Sequence, residues 1–170
     1  AEVHALRDDV RPFVRSYFNA LASLLSEENL SLWEHFHNTA GWNKTHETGW
    51  FLCQTGTMLG MEREGELWLA PLVPEYWLED GKQTSVRNLP TPYGKVGYQI
   101  TSSVAQGRIE ARIEPPARQP ERIVLRLRHP KGKPIRAVKV NGQAHRDFDA
   151  ERQCVRLAPQ TGAITVSVEY

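Results

Sequence analysis

The sequence predicts an α+β chain in which helices come first and an antiparallel β-sandwich follows. Three observations predict it. Up to about Gly60 apolar residues recur at helical spacing, beyond it they alternate with polar neighbours, and Asn141-Gly142 directly follows Val138-Lys139-Val140, a strong two-residue hairpin signal. With 170 residues the chain suits one large domain or two small ones, and the change of character predicts two, over 1–62 and 63–170.

The first helix is expected over about Leu6 to Ser26, where Val10, Phe13, Val14, Tyr17, Leu21, Leu24 and Leu25 share one face. Pro12 then falls near the first turn, where its missing N–H costs little. A second helix is expected from about Thr45, as N-cap, through Trp50, Phe51, Leu52 and Met58 to Gly60. Between them Glu28 to Lys44 reads as a long irregular connection. Such connections are functional or disordered, and one carrying Trp33, Phe36 and Trp42 argues for function.

From Leu67 onward, residues such as Val96, Tyr98, Ile100, Ile109, Ile113, Ile123, Leu125, Val138, Ile164, Val166 and Val168 alternate with polar ones. Their spacing, with Pro and Gly between, predicts a sandwich of about eight strands. Trp68, Tyr76, Trp77 and Tyr93 are expected to pack this sandwich against the helical part. Two helices alone do not bury Tyr17, Phe18, Trp50 and Phe51, so the helical segment reads as the end of a larger helical domain.

Composition excludes several functions. The net charge of +1, with Arg108, Arg112, Arg118, Arg122, Arg126 and Arg128 alternating with Glu110, Glu114 and Glu121, predicts a solvated strand face and no nucleic-acid partner. No apolar run approaches the roughly 20 residues that span a bilayer, so no membrane partner is expected. The start, AEVHALRDDVRP, is charged and does not read as a signal peptide. Cys53 and Cys154 are too few for a disulfide framework and read as buried free thiols.

Chemistry concentrates in Leu30 to Gly60, where carboxylates, indoles and amides share one loop system. A sugar-cleaving site requires those groups: acids move protons, flat apolar faces stack on pyranose rings, and amides bond hydroxyls. Glu34 and Glu47 are the candidate catalytic residues; Trp33, Trp42, Asn43 and His46 are the candidate substrate contacts, with Trp50 a further wall. Glu47 also reads as a first-turn acid that complements the helix dipole, and Glu34 as a capping residue. His35-x-His37 with His46 and Glu47 has no recognised metal-ligand spacing, so neither a metal nor another cofactor is expected.

Helix, Leu30-Ser31-Leu32-Trp33-Glu34, Trp42-Asn43-Lys44-Thr45-His46-Glu47-Thr48, an apolar helix, then Trp68-Leu69-Ala70-Pro71 and Thr91-Pro92-Tyr93-Gly94 make an order that resembles the C-terminal part of six-hairpin glycoside hydrolases. The nearest group is the α-L-rhamnosidases, whose (α/α)6 barrel is followed by a small β-sandwich. The resemblance implies terminal barrel helices over 1–62 and a C-terminal β-sandwich over 63–170. Ser31-Leu32-Trp33-Glu34 is similar to the Thr-x-Trp-Glu segment that supplies the general base there. Asn43-Lys44-Thr45-His46 resembles the segment opening the last inner helix, and Thr91-Pro92-Tyr93-Gly94 the start of the C-terminal sandwich. After Glu34 the chain reads His35-Phe36-His37 where the group has Arg-aromatic-Asp.

What the resemblance implies is an inverting glycosidase acting on terminal sugars of plant or bacterial glycosides. The two carboxyl groups stand about 6.5–9.5 Å apart, one protonating the leaving oxygen and the other, Glu34, activating a water on the opposite ring face. The acid is implied earlier in the barrel, outside this chain, so the chain alone is expected to be inactive and its partners to be a carbohydrate and the rest of the barrel. A periplasmic or secreted location is favoured over the cytoplasm. Two other readings stand beside it: a non-catalytic sandwich that binds carbohydrate or buttresses a barrel, and a polysaccharide lyase.

Overall fold

The computed structural model describes residues 1–34 and 44–170. They form an α+β chain in two compact units, Ala1–Met58 and Leu59–Tyr170. The helices are α1 (Glu2–Leu6), α2 (Val10–Leu24) and α3 (Thr45–Leu59). No helix among the described residues is long and apolar enough to cross a membrane.

The single helix expected from Leu6 is two helices. Asp8 takes a left-handed conformation between them, with φ 61°. Pro12 is the reason: in a continuous helix its ring would clash with the carbonyl of Asp8, so α2 must begin close enough to place Pro12 in its first turn. Within α2 the predicted face turns Phe13 and Tyr17 into the buried interior. In α3 the Lys44 carbonyl accepts from the Thr48 N–H at 3.2 Å, which makes Lys44 the N-cap instead of Thr45. α3 leaves Trp50, Leu52 and Cys53 exposed, so Cys53 is not the buried thiol its apolar neighbours implied, whereas Cys154 is.

The second unit is a sandwich of two sheets. The strands are β1 (Gly60–Arg63), β2 (Glu66–Leu69), β3 (Gln83–Thr91), β4 (Gly94–Ser103), β5 (Arg108–Glu114), β6 (Arg122–Arg126), β7 (Ala137–Val140), β8 (Gln143–His145), β9 (Phe148–Asp149), β10 (Cys154–Leu157) and β11 (Ile164–Glu169). One sheet has the order β1-β2-β6-β10-β9, the other β3-β4-β5-β11-β7-β8. Alternation dictates the core between them: Leu67, Leu69, Ile123, Leu125, Val155 and Leu157 from the first meet Ile100, Ile109, Ile113, Ile164, Val166 and Val168 from the second.

The sandwich is not wholly antiparallel. β2 and β6 pair parallel, Leu67 opposite Ile123, because β3 to β5 depart for the other sheet and the chain returns running the same way. Two strands escape simple alternation. β1 extends the first sheet beside β2, so the expected boundary at 62 falls inside a strand. β3 carries Pro90 and a bulge between Val86 and Leu89, both tolerated because β3 is an edge strand. Thr91-Pro92-Tyr93-Gly94 is accordingly the β3–β4 hairpin turn and lies well inside the sandwich sequence. The Thr91 hydroxyl closes this turn by donating to the Gly94 carbonyl at 2.6 Å.

One further expectation changes. Arg126 and Arg128 are buried rather than solvated, since β6 occupies the middle of its sheet. Trp68 packs with Val124, Cys154 and Met61 on the face of the first sheet that points away from the core, while Trp77 and Tyr93 pack against the core itself. Tyr76 is exposed.

Candidate functional site

α2 and α3 are held together by aromatic rings. Tyr17 stacks on Phe51 at 5.5 Å between centroids and meets the edge of Phe18 at 5.0 Å. A hydrogen bond of 2.9 Å joins the Tyr17 and Thr55 hydroxyls. Helical periodicity put Tyr17 on the core face but carried no sign of Thr55, whose role depends on the pairing of the two helices.

After α2 the chain folds back. The Ser26 N–H donates to Ser31 at 2.8 Å, the Trp33 N–H to Leu24 at 2.8 Å, and the Lys44 N–H to Leu32 at 3.1 Å. Leu32 thus receives the start of α3 beside the return from α2, and is itself buried. This arrangement brings Glu34 to Lys44, whose ammonium lies 2.8 Å from the carboxylate with both side chains about one-third exposed. The hydrogen bond to Glu34 raises the Lys44 pKa, its charge adds to this, and Glu47 contributes in the same direction. Both candidate carboxylates therefore act on one ammonium. Sequence reasoning passed over Lys44, because nothing local marks a lysine as the partner of a carboxylate ten residues upstream.

A groove of about 330 Å³ runs between α2 and α3. Tyr17, Leu21, Leu24 and Leu32 line one side, and His46, Glu47, Trp50, Phe51 and Gln54 line the other. His46 Nε2 is 2.6 Å from Glu47 Oε1; His46 is 67% exposed and Glu47 only 12%. Glu47 Oε2 is buried and has no hydrogen-bond partner among the described residues. A buried carboxylate oxygen without a partner is able to accept from a hydroxyl.

The sequence-predicted residues thus divide. Glu47 and His46 line the groove, with Trp50 at 47% exposure beside them, a wall residue rather than core. Glu34 is in the ion pair and Trp33 is half-buried, and neither lines the groove. Trp42 and Asn43, like His35 and His37, lie outside the described residues. Among the described residues no three His, Cys, Asp or Glu side chains gather to hold a metal ion.

No protein-family model matches the chain and no curated protein matches it by sequence. Solved structures that it resembles include one described as a glycoside hydrolase, at 13% identity and a TM-score of 0.45, with 83% of this chain and 24% of that one covered. A second is the GH31 dextranase of Flavobacterium johnsoniae complexed with isomaltotriose, at 10% identity, TM-score 0.41, and coverage of 65% and 18%. A third is the GH127 β-L-arabinofuranosidase from Geobacillus stearothermophilus T6, at 14% identity, TM-score 0.39, and coverage of 72% and 18%. The chain spans a quarter or less of the length of each.

Proposed function

We propose that the chain is the C-terminal part of an inverting glycoside hydrolase of the α-L-rhamnosidase-like, six-hairpin kind. The helical unit, Ala1–Met58, would close an (α/α)6 barrel and Leu59–Tyr170 would form its C-terminal sandwich. The observation that carries the reading is the action of Glu34 and Glu47 on one ammonium, Lys44, with Glu47 also lining a groove walled by Trp50 and Phe51.

In this reading Glu34 is the general base. An ammonium at hydrogen-bond distance favours the ionised carboxylate, the form a base needs before it takes a proton from water. Glu47 and His46 accept and donate to sugar hydroxyls, and the indole and phenyl faces cover the C–H faces of the ring. The general acid belongs to the rest of the barrel. Supporting a missing barrel, Val3, Leu6, Phe18, Leu25, Leu30, Trp50 and Leu52 stand exposed in the helical unit, an unusual concentration of large apolar side chains.

The test is turnover of aryl glycosides, α-L-rhamnoside among them, by the longer protein that this reading requires, with and without Glu34→Gln. Loss of about 10²–10⁴-fold in kcat with substrate binding retained is the expected result. Unchanged turnover would return Glu34 to a structural ion pair and defeat the assignment.

A further inference from the structure

We propose that the outer face of the six-stranded sheet binds an acidic glycan, a polyhydroxylated chain whose carboxylates are separated by neutral rings. This goes beyond the hydrolase reading and uses none of its residues. Because β-strand side chains alternate, β3, β4, β5, β11 and β7 all turn their polar residues to one side. That side is hollow. A depression of about 510 Å³ crosses β4, β5, β11 and β7, and a second of about 190 Å³ crosses β3, β4 and β5; Gln99 and Arg112 line both, which makes them one trough.

Register explains what lines it. Gln99, Arg112 and Thr165 stand in one cross-strand row, and Thr101, Glu110, Ser167 and Lys139 in the next. At Gly97 the row has no side chain, and the Glu114 carboxylate lies over the glycine, where an added Cβ would come within 3.2 Å of it. Short hydroxyls and an amide along the floor are suited to donate to and accept from sugar hydroxyls.

Charge selects the ligand. Arg87, Arg112 and Lys139 sit on β3, β5 and β7, which are alternate strands of the sheet and so stand about 10 Å apart. Among the described residues none of these three side chains makes a hydrogen bond or ion pair, whereas Glu110 is 3.5 Å from Arg108. Three widely spaced, uncompensated cations complement sparse anions. Nucleic acid fits poorly, since a duplex presents one charge per about 1.7 Å, far denser than the spacing of the three cations. The trough also lacks an exposed aromatic on which a base could stack.

The test is affinity electrophoresis of the full chain at about 0.15 M salt through gels containing hyaluronate, whose carboxylates fall on every second ring, dextran or no polymer. Hyaluronate is expected to retard the protein and dextran to leave it unmoved. Arg112→Gln with Lys139→Gln is expected to weaken retention at least tenfold, with an unchanged thermal melt because both side chains are exposed, while Arg15→Gln on α2 retains it. Absence of retardation, its persistence in the double variant, or equal retention by a charge-matched oligothymidylate would each overturn the proposal. Glu34→Gln turnover reads the helical unit, so either proposal can fail without the other.

Discussion

His129 is buried in the sandwich with its ring 5.0 Å from that of Tyr170. Its Nδ1 accepts the Lys131 N–H at 3.0 Å, and its backbone N–H donates to the Gln153 side-chain carbonyl at 2.5 Å. Burial lowers the imidazole pKa, and the charges of Lys133 and Lys131 push it the same way. A base whose pKa falls on folding is neutral in the native state, so its contribution to stability is complete above the unfolded value near 6.5 and is lost as pH drops. The urea midpoint should therefore fall between pH 7 and pH 5, and His129→Gln should flatten that dependence; a variant with the parent's slope would show that other groups set it. Tyr98 is also buried, and its hydroxyl donates to the Leu59 carbonyl at 2.8 Å. Desolvation raises its pKa well above the ordinary value. Neither environment is written in the neighbouring residues, because each depends on chain segments that pack across the core. The same is true of the ion pair between Glu34 and Lys44: the motif pointed to the glutamate, but only the fold-back after α2 supplied its partner.

Elements with a strong local period were the most legible. The face of α2 that buries Phe13 and Tyr17 follows from three- and four-residue steps, and the alternating strands β4, β5 and β11 follow from their period of two. The Asn141-Gly142 turn joins β7 to β8 with both residues at positive φ, 50° and 81°. Nothing lies within 4 Å of the Cβ that a side chain at Gly142 would add, so Gly142→Ala tests backbone conformation without a clash. A loss of about 1–2 kcal/mol in urea unfolding is expected; no loss would mean that the turn relaxes to another type. The remaining elements were illegible for identifiable reasons. β1 and β9 are too short to show a period, and the bulge at Val86/Leu89 shifts the phase of β3 partway along. The break before α2 was legible in principle, since Pro12 forbids the hydrogen bond that a continuous helix would need there.

At the scale of the whole molecule the two units differ in how much they bury. Leu59–Tyr170 contains the large core cluster, whereas the described buried residues of Ala1–Met58 amount to Ala5, Phe13, Tyr17, Ser26, Leu32 and Met58. The fragment Leu59–Tyr170 should therefore unfold cooperatively in urea by itself. Ala1–Met58 alone should show no cooperative transition and should bind a hydrophobic dye, because its exposed apolar residues lack cover. Cooperative unfolding of the helical fragment would contradict the view that it is part of a larger barrel.

The sequence by itself determined the α+β class, the helical faces, the alternation that builds the sandwich core and the hairpin at Asn141-Gly142, because each depends on residues near one another along the chain. The tertiary structure alone decided the parallel pairing of β2 with β6 and the burial of Arg126 and Arg128. It also decided the meeting of Lys44 with Glu34, and the cross-strand rows that put Arg112 and Lys139 on one outer face. These join residues apart in sequence, and the free energy that selects them comes from burying the sheets of one unit and the helices of the other, which no local pattern records.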